Sequence, residues 1–128
     1  MSQENVEIVR RAVEAYVAGD LEKALAEADP EIVWNPVEET PSQGHDAVRE
    51  YLRRWETDWE DLRTVPEEFL DAGERVVVTV HFAGRGRGSG IDVHVRLYQV
   101  WTIHDGKAVR MDEFTERVEA LEAVGLSE

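Results

Sequence analysis

With 128 residues, an apolar fraction of 42% and a net charge of -14, the chain has the length of one domain, 1–128, and enough apolar content for one core. Its acidity argues against nucleic acid and anionic membrane surfaces as partners, because both are held by clustered Lys and Arg. The absence of cysteine excludes disulfides, thiolate metal sites and a cysteine nucleophile, and MSQENVEIVRR lacks the apolar stretch of a signal segment, so a cytoplasmic protein is expected.

Ser2 reads as an N-cap, with Glu4 in the first turn where the helix dipole favours a carboxylate. Val6, Val9, Val13, Tyr16 and Val17 then recur at helical spacing until Gly19 stops the helix. Asp20 reads as the cap of a short second helix carrying Leu21, Ala24, Leu25 and Ala28, with Pro30 after it. EIVW, 31–34, reads as a strand, and Pro36, Pro41 and Gly44 mark the loop that follows. Asp46 is the expected cap of a third helix, whose apolar stripe runs Val48, Tyr51, Leu52, Trp55, Trp59. LRTVPEEFLDAG, ERVVVTVHFAG, GIDVHVRLYQVWTIHDGK and AVRMDEF are four strand candidates joined by turn signals, and a last helix is expected near 115–123. Helices first and strands after predict an α+β fold, with the N-terminal helices packed on one face of a mainly antiparallel sheet.

HFAGRGRGSGIDVHVR, 81–96, is rich in glycine, but Gly84, Gly86, Gly88 and Gly90 alternate and a strand follows. Neither a dinucleotide fingerprint nor a Walker-type loop fits that spacing. A two-residue turn at Gly88-Ser89 would pair Arg85 with Asp92, Phe82 with Val95, Val80 with Leu97 and Val78 with Gln99. Opposed residues share a face. Val76, Val78, Val80 and Phe82 therefore join Val93, Val95, Leu97, Gln99, Trp101 and Ile103 on a face that is apolar except for Gln99.

TIHDGKAV allows two registers for the next hairpin. A two-residue Asp105-Gly106 loop sets Gln99 opposite Asp112. A three-residue loop with Gly106 left-handed in a bulge sets Gln99 opposite Met111 and Leu97 opposite Glu113. The bulged register is preferred, because it turns Val109 and Met111 inward and keeps Arg110 away from Trp101. Glu113 then joins Gln99 on the covered face; Asp112 would do so without a bulge. Glu113 either reaches solvent from its strand end or forms a pocket floor where burial raises its pKa. Trp34, Tyr16, Tyr51, Trp55, Trp59 and Trp101 either fill plain core or wall such a pocket.

The run AYVAGDLEKALAEADPEIVWNPVEETPSQGHDAVREYL, followed by VWTIHDGKAVRMDEF, resembles the SnoaL-like branch of the nuclear transport factor 2-like (NTF2-like) superfamily. The resemblance covers nearly the whole chain and implies a cone-shaped α+β fold around a pocket. It embraces polyketide cyclases, ketosteroid isomerases, limonene epoxide hydrolases, dehydratases and non-catalytic binding or dimerising domains. Matched to ketosteroid isomerases, the base position falls at Asn35, the oxyanion tyrosine at Ala12 and the oxyanion acid at Gln99, so all three groups are missing. Matched to limonene epoxide hydrolases, an Arg-x-Asp pair falls at Leu97 and Gln99, and only the last carboxylate, Glu113, is kept. Glu113 is thus the candidate catalytic acid or base, with Gln99 and Asn35 orienting a carbonyl or hydroxyl of a small-molecule ligand. Glu38 and Glu39 are further possible acids.

On the opposite sheet face His81 and Arg96 pair across the hairpin, near His94, Tyr98 and Thr79. A His–Arg–Tyr set could form a site, but the resemblance implies that this face is a homodimer contact. No spacing suits a metal, and no cofactor is expected.

Overall fold

In the computed structural model, which describes residues 2–127 except the Ser2 side chain, helix α1 (Ser2–Val17) opens the chain. The expected N-cap at Ser2 therefore lies outside the described residues. Val6, Val9, Ala12 and Val13 of α1 are all buried, as their spacing dictates. Gly19, at φ 86, ends the helix: its N–H reaches Tyr16 O at 3.0 Å, and Asp20 N–H reaches Ala15 O at 2.9 Å. This pair of bonds is a Schellman cap, and its left-handed residue is one that glycine fills without steric cost. Asp20 then caps α2 (Leu21–Leu25) by accepting from Lys23 N.

Three expectations shift here. Ala28 does not ride on α2 but begins strand β1 (Ala28–Asn35), where it pairs with Ala108 and is followed by Asp29, which Pro30 biases toward extended backbone. Asp46 does not cap α3 (His45–Thr57); Gly44 occupies the cap, its N–H bonded to Ile32 O at 2.8 Å, and Asp46 instead accepts from Arg49 at 2.7 Å. Trp59 is not on the stripe of α3. The helix closes at Asp58, and Arg87 from a distant hairpin tip donates to Thr57 O at 2.8 Å and Trp59 O at 3.0 Å. A guanidinium on these terminal carbonyls substitutes for the next helical turn.

After β2 (Ser42–Gln43) come β3 (Trp59–Ala72), β4 (Arg75–Gly86), β5 (Asp92–His104) and β6 (Lys107–Phe114), followed by α4 (Arg117–Ala123). They form one six-stranded sheet in the order β2-β1-β6-β5-β4-β3. Every neighbouring pair is antiparallel except β1 with β6. The β4–β5 register is the expected one, with Arg85 opposite Asp92 and Val78 opposite Gln99. The turn differs: Gly86 N bonds Ile91 O, Gly90 N bonds Gly86 O, and the left-handed residue is Gly90 at φ 71. A wider loop centred on the same point leaves the pairing unchanged.

The β5–β6 hairpin combines features of both expected registers. Asp105 (φ 50) and Gly106 (φ 77) make a two-residue turn, the backbone that a primed hairpin turn requires. The register then slips between Thr102 and Ile103: Ile103 faces Ala108 while Thr102 faces Arg110, leaving Val109 as the extra residue. The bulge lies in the strand rather than in the turn. Gln99 therefore faces Glu113, not Met111, and Leu97 does not face Glu113.

Val76, Val78, Val80, Leu97, Trp101, Ile103 and Met111 form the buried inner face under α1 and α3, each worth about 1.5–3 kcal/mol when fully buried. Helix α4 packs on the other face, where Ala120 meets Val77 and Val100. Among the described residues no helix is long and apolar enough to cross a membrane.

Candidate functional site

The N-terminal helices do not fill the concave side of the sheet. Between them lies a cavity of about 490 Å³, within the range of small-molecule sites. The helices contribute small residues, Ala12 and Ala24, to its lining, and Tyr16, Tyr51 and Trp55 also border it. Parallel pairing of β1 with β6 puts Trp34 beside Met111, and the bulged hairpin puts Met111 beside Trp101. The Trp34 and Trp101 rings meet edge-on, 5.5 Å apart at 88°. Phe82 stands edge-on to Trp55 at 5.7 Å.

One pleat along from the Trp34–Met111–Trp101 row, Gln99 and Glu113 face each other across the ladder, and both border the cavity. Gln99 is only 7% exposed, so its amide needs partners. Trp101 Nε1 donates to Gln99 Oε1 at 2.9 Å, which turns the amide's NH2 end toward Glu113. Val37 N–H, from the loop after β1, donates to Glu113 Oε1 at 3.1 Å. Burial raises the Glu113 pKa, against the opposing pull of the Val37 and Gln99 hydrogen bonds. Desolvation thus outweighs the donors, and the carboxyl holds its proton to higher pH than an exposed glutamate. Tyr51 is pushed up to about 12 by burial, Glu113 and Glu39. Tyr16 is raised too, by burial and by Glu56. Both phenols are therefore neutral hydroxyls at physiological pH.

The structure gathers Trp34, Tyr16, Tyr51, Trp55, Gln99, Trp101 and Glu113 around one cavity, with Glu38 and Glu39 also on its border. It leaves out three candidates. Asn35 donates to Asp112 Oδ1 at 3.0 Å, and that carboxylate also takes Arg110 Nε at 2.9 Å; neither residue borders the cavity. An even residue of β6 points away once Met111 and Glu113 point in, so Asp112 is not the inward acid. Trp59 packs on Trp55 at 5.5 Å outside the cavity, as follows from its place at the start of β3.

Sequence reading missed the Val37 N–H and the side chains of Arg54, Asp58 and Phe82 as cavity-bordering groups. A backbone donor has no residue-type signature, but Phe82 was already assigned to the inner face and needed only the helix placement. Among the described residues, no group of three or more His, Cys, Asp or Glu side chains could hold a metal ion.

The fold recurs in solved structures. An NTF2-like protein of unknown function from Burkholderia pseudomallei is 26% identical with a TM-score of 0.80, over 95% of this chain and 98% of that one. TerC, co-crystallised with polyporic acid, is 26% identical with a TM-score of 0.78, over 94% of this chain and 98% of its own. A protein from Jannaschia sp. CCS1 assigned as a SnoaL-like polyketide cyclase shares the fold at 21% identity and a TM-score of 0.80, over 99% and 95% of the two chains. No curated protein matches the chain. The SnoaL-like domain profile matches residues 9–111, and with its NTF2-like architecture the chain belongs to the SnoaL-like family.

Proposed function

We propose that the cavity binds a small, largely apolar, ring-bearing molecule in the cytoplasm, and that Glu113 exchanges a proton with its one polar end. Such chemistry is of the cyclase, isomerase or lyase type. The observation that carries this reading is a single desolvated carboxyl, oriented by Val37 and Gln99, at the border of an aromatic-walled cavity. A carboxyl whose pKa lies nearer neutrality is a better acid–base catalyst than an exposed one. The test has two parts. Ring compounds should raise the melting temperature by about 4 °C or more well above their Kd; no shift across a broad panel would overturn the binding reading. For any compound that turns over, Glu113→Gln should abolish turnover, while uncharged ring compounds still raise the variant's melting temperature. Turnover that survives the substitution removes Glu113 as the catalyst, and binding without turnover of any panel member leaves a non-catalytic binding domain.

The outer sheet face supports a second, compatible reading as a homodimer contact. His81 and His94 stack 5.6 Å apart, Arg96 is clamped by Glu67 at 2.7 Å, and Val65, opposite His81, is 51% exposed. Sedimentation equilibrium at micromolar concentration should give twice the chain mass; a monomer would refute this contact.

A further inference from the structure

The groups around the cavity differ in charge as sharply as in polarity. Four carboxylates border it, Glu38, Glu39, Asp58 and Glu113, against one cation, Arg54. Arg54 already has an occupation: its guanidinium lies 5.8 Å from the centre of the Tyr51 ring. The chain as a whole carries -14, so the net charge of the molecule has the same sign as this local field. A low-dielectric cavity focuses such a field, attracting cations and repelling anions. Carboxylate and phosphate ligands are therefore disfavoured at this mouth.

The walls add a second, independent feature. Trp34 and Trp101 meet at right angles, one pleat from Glu113, and Tyr51 of α3 borders the same cavity, within the electrostatic reach of Glu113. An aromatic ring face attracts positive charge, and a carboxylate beside it supplies a counter-ion, so this set of groups suits an organic cation. Resting on the reading that this cavity is a ligand site, we infer that its ligand is an organic cation, a hydrophobic body bearing a protonated amine, for which a quaternary ammonium is a non-exchanging probe. The cationic head lies between Glu113 and the Trp34–Trp101 pair. The apolar body packs on the aliphatic residues that also line the cavity, among them Ala12 and Ala24.

Three probes of one size separate the possibilities in titration calorimetry at low salt and pH 8: benzyltrimethylammonium, its uncharged isostere neopentylbenzene, and phenylacetate. The cation should bind about tenfold or more tightly than the isostere, and phenylacetate should not bind. The preference should shrink in Glu113→Gln and, if that variant folds poorly, in Trp34→Leu, whose circular dichroism is checked first. Equal or tighter binding of the uncharged isostere would overturn the cation assignment while leaving the cavity a ligand site. Binding of phenylacetate alone would overturn it as well. Binding of none of the three, with the broad ring panel also silent, would remove the ligand site itself.

Discussion

Gln99 is the residue through which the parts of the site communicate. It accepts from the Trp101 indole, presents its other end to Glu113, and is buried at 7% exposure. Gln99→Leu should cost about 1–3 kcal/mol, because it strands the Trp101 N–H in the interior, and it should raise the Glu113 pKa further by deleting a donor to the charged form. Urea unfolding and a carbon-13 carboxyl titration read the two effects; an unchanged titration would mean that the amide does not serve the acid. Glu113 also imprints a pH dependence on stability. Its folded pKa lies above the ordinary 4.5, so between the two values the native state binds more protons than the unfolded chain. Stability from this group is complete below pH 4.5 and is lost as pH rises through the folded pKa. Glu113→Gln should therefore gain on the wild type as pH is raised through that window, and a pH-independent difference would contradict the desolvated carboxyl. The identity of this acid was legible in the sequence because strand alternation has period two. Any bulge of one residue anywhere between the turn and Met111 turns Met111 and Glu113 inward. What alternation does not encode is where the extra residue sits, so the partner of Gln99 was misassigned while its face was right.

At the level of elements, the hairpins and the junction at Gly19 and Asp20 were readable, whereas both ends of α3 were not. Turn residues fixed the β4–β5 register through the glycine loop even though the turn itself is wider than expected. Gly106→Ala should cost about 1–2 kcal/mol, since φ is 77 there and a Cβ is strained in the left-handed region; a neutral result would show that the turn relaxes. Helix α3 was overextended to Trp59 because local spacing continues past Thr57. It is stopped by a tertiary contact, the Arg87 guanidinium on Thr57 O and Trp59 O, which a local pattern cannot show. Arg87→Ala should destabilise by about 1–2 kcal/mol through these charge-assisted bonds. Denaturant midpoints with an unchanged slope would confirm that the loss is one of stability rather than of compactness.

At the scale of the whole molecule, a charge of -14 on 128 residues makes the compact state repel itself. Raising sodium chloride from ~20 to ~300 mM shortens the screening length severalfold and should raise the melting temperature; a fall would mean that the surface ion pairs outweigh the repulsion. The same excess of acid surrounds the cavity that the sheet and N-terminal helices enclose, so global charge and local site favour the same kind of ligand. The cavity depends on the bulge at Val109, the parallel β1–β6 pairing and the incomplete helical cover acting together. A nitrogen-15 titration that follows the indole N–H signals of Trp34 and Trp101 while benzyltrimethylammonium is added reports on it directly. Saturable shifts at both indoles, with His81 and His94 on the outer face unmoved, are the expected result. Shifts confined to the outer face, or indoles that stay still while the ligand binds elsewhere, would contradict a ligand site above Gln99 and Glu113.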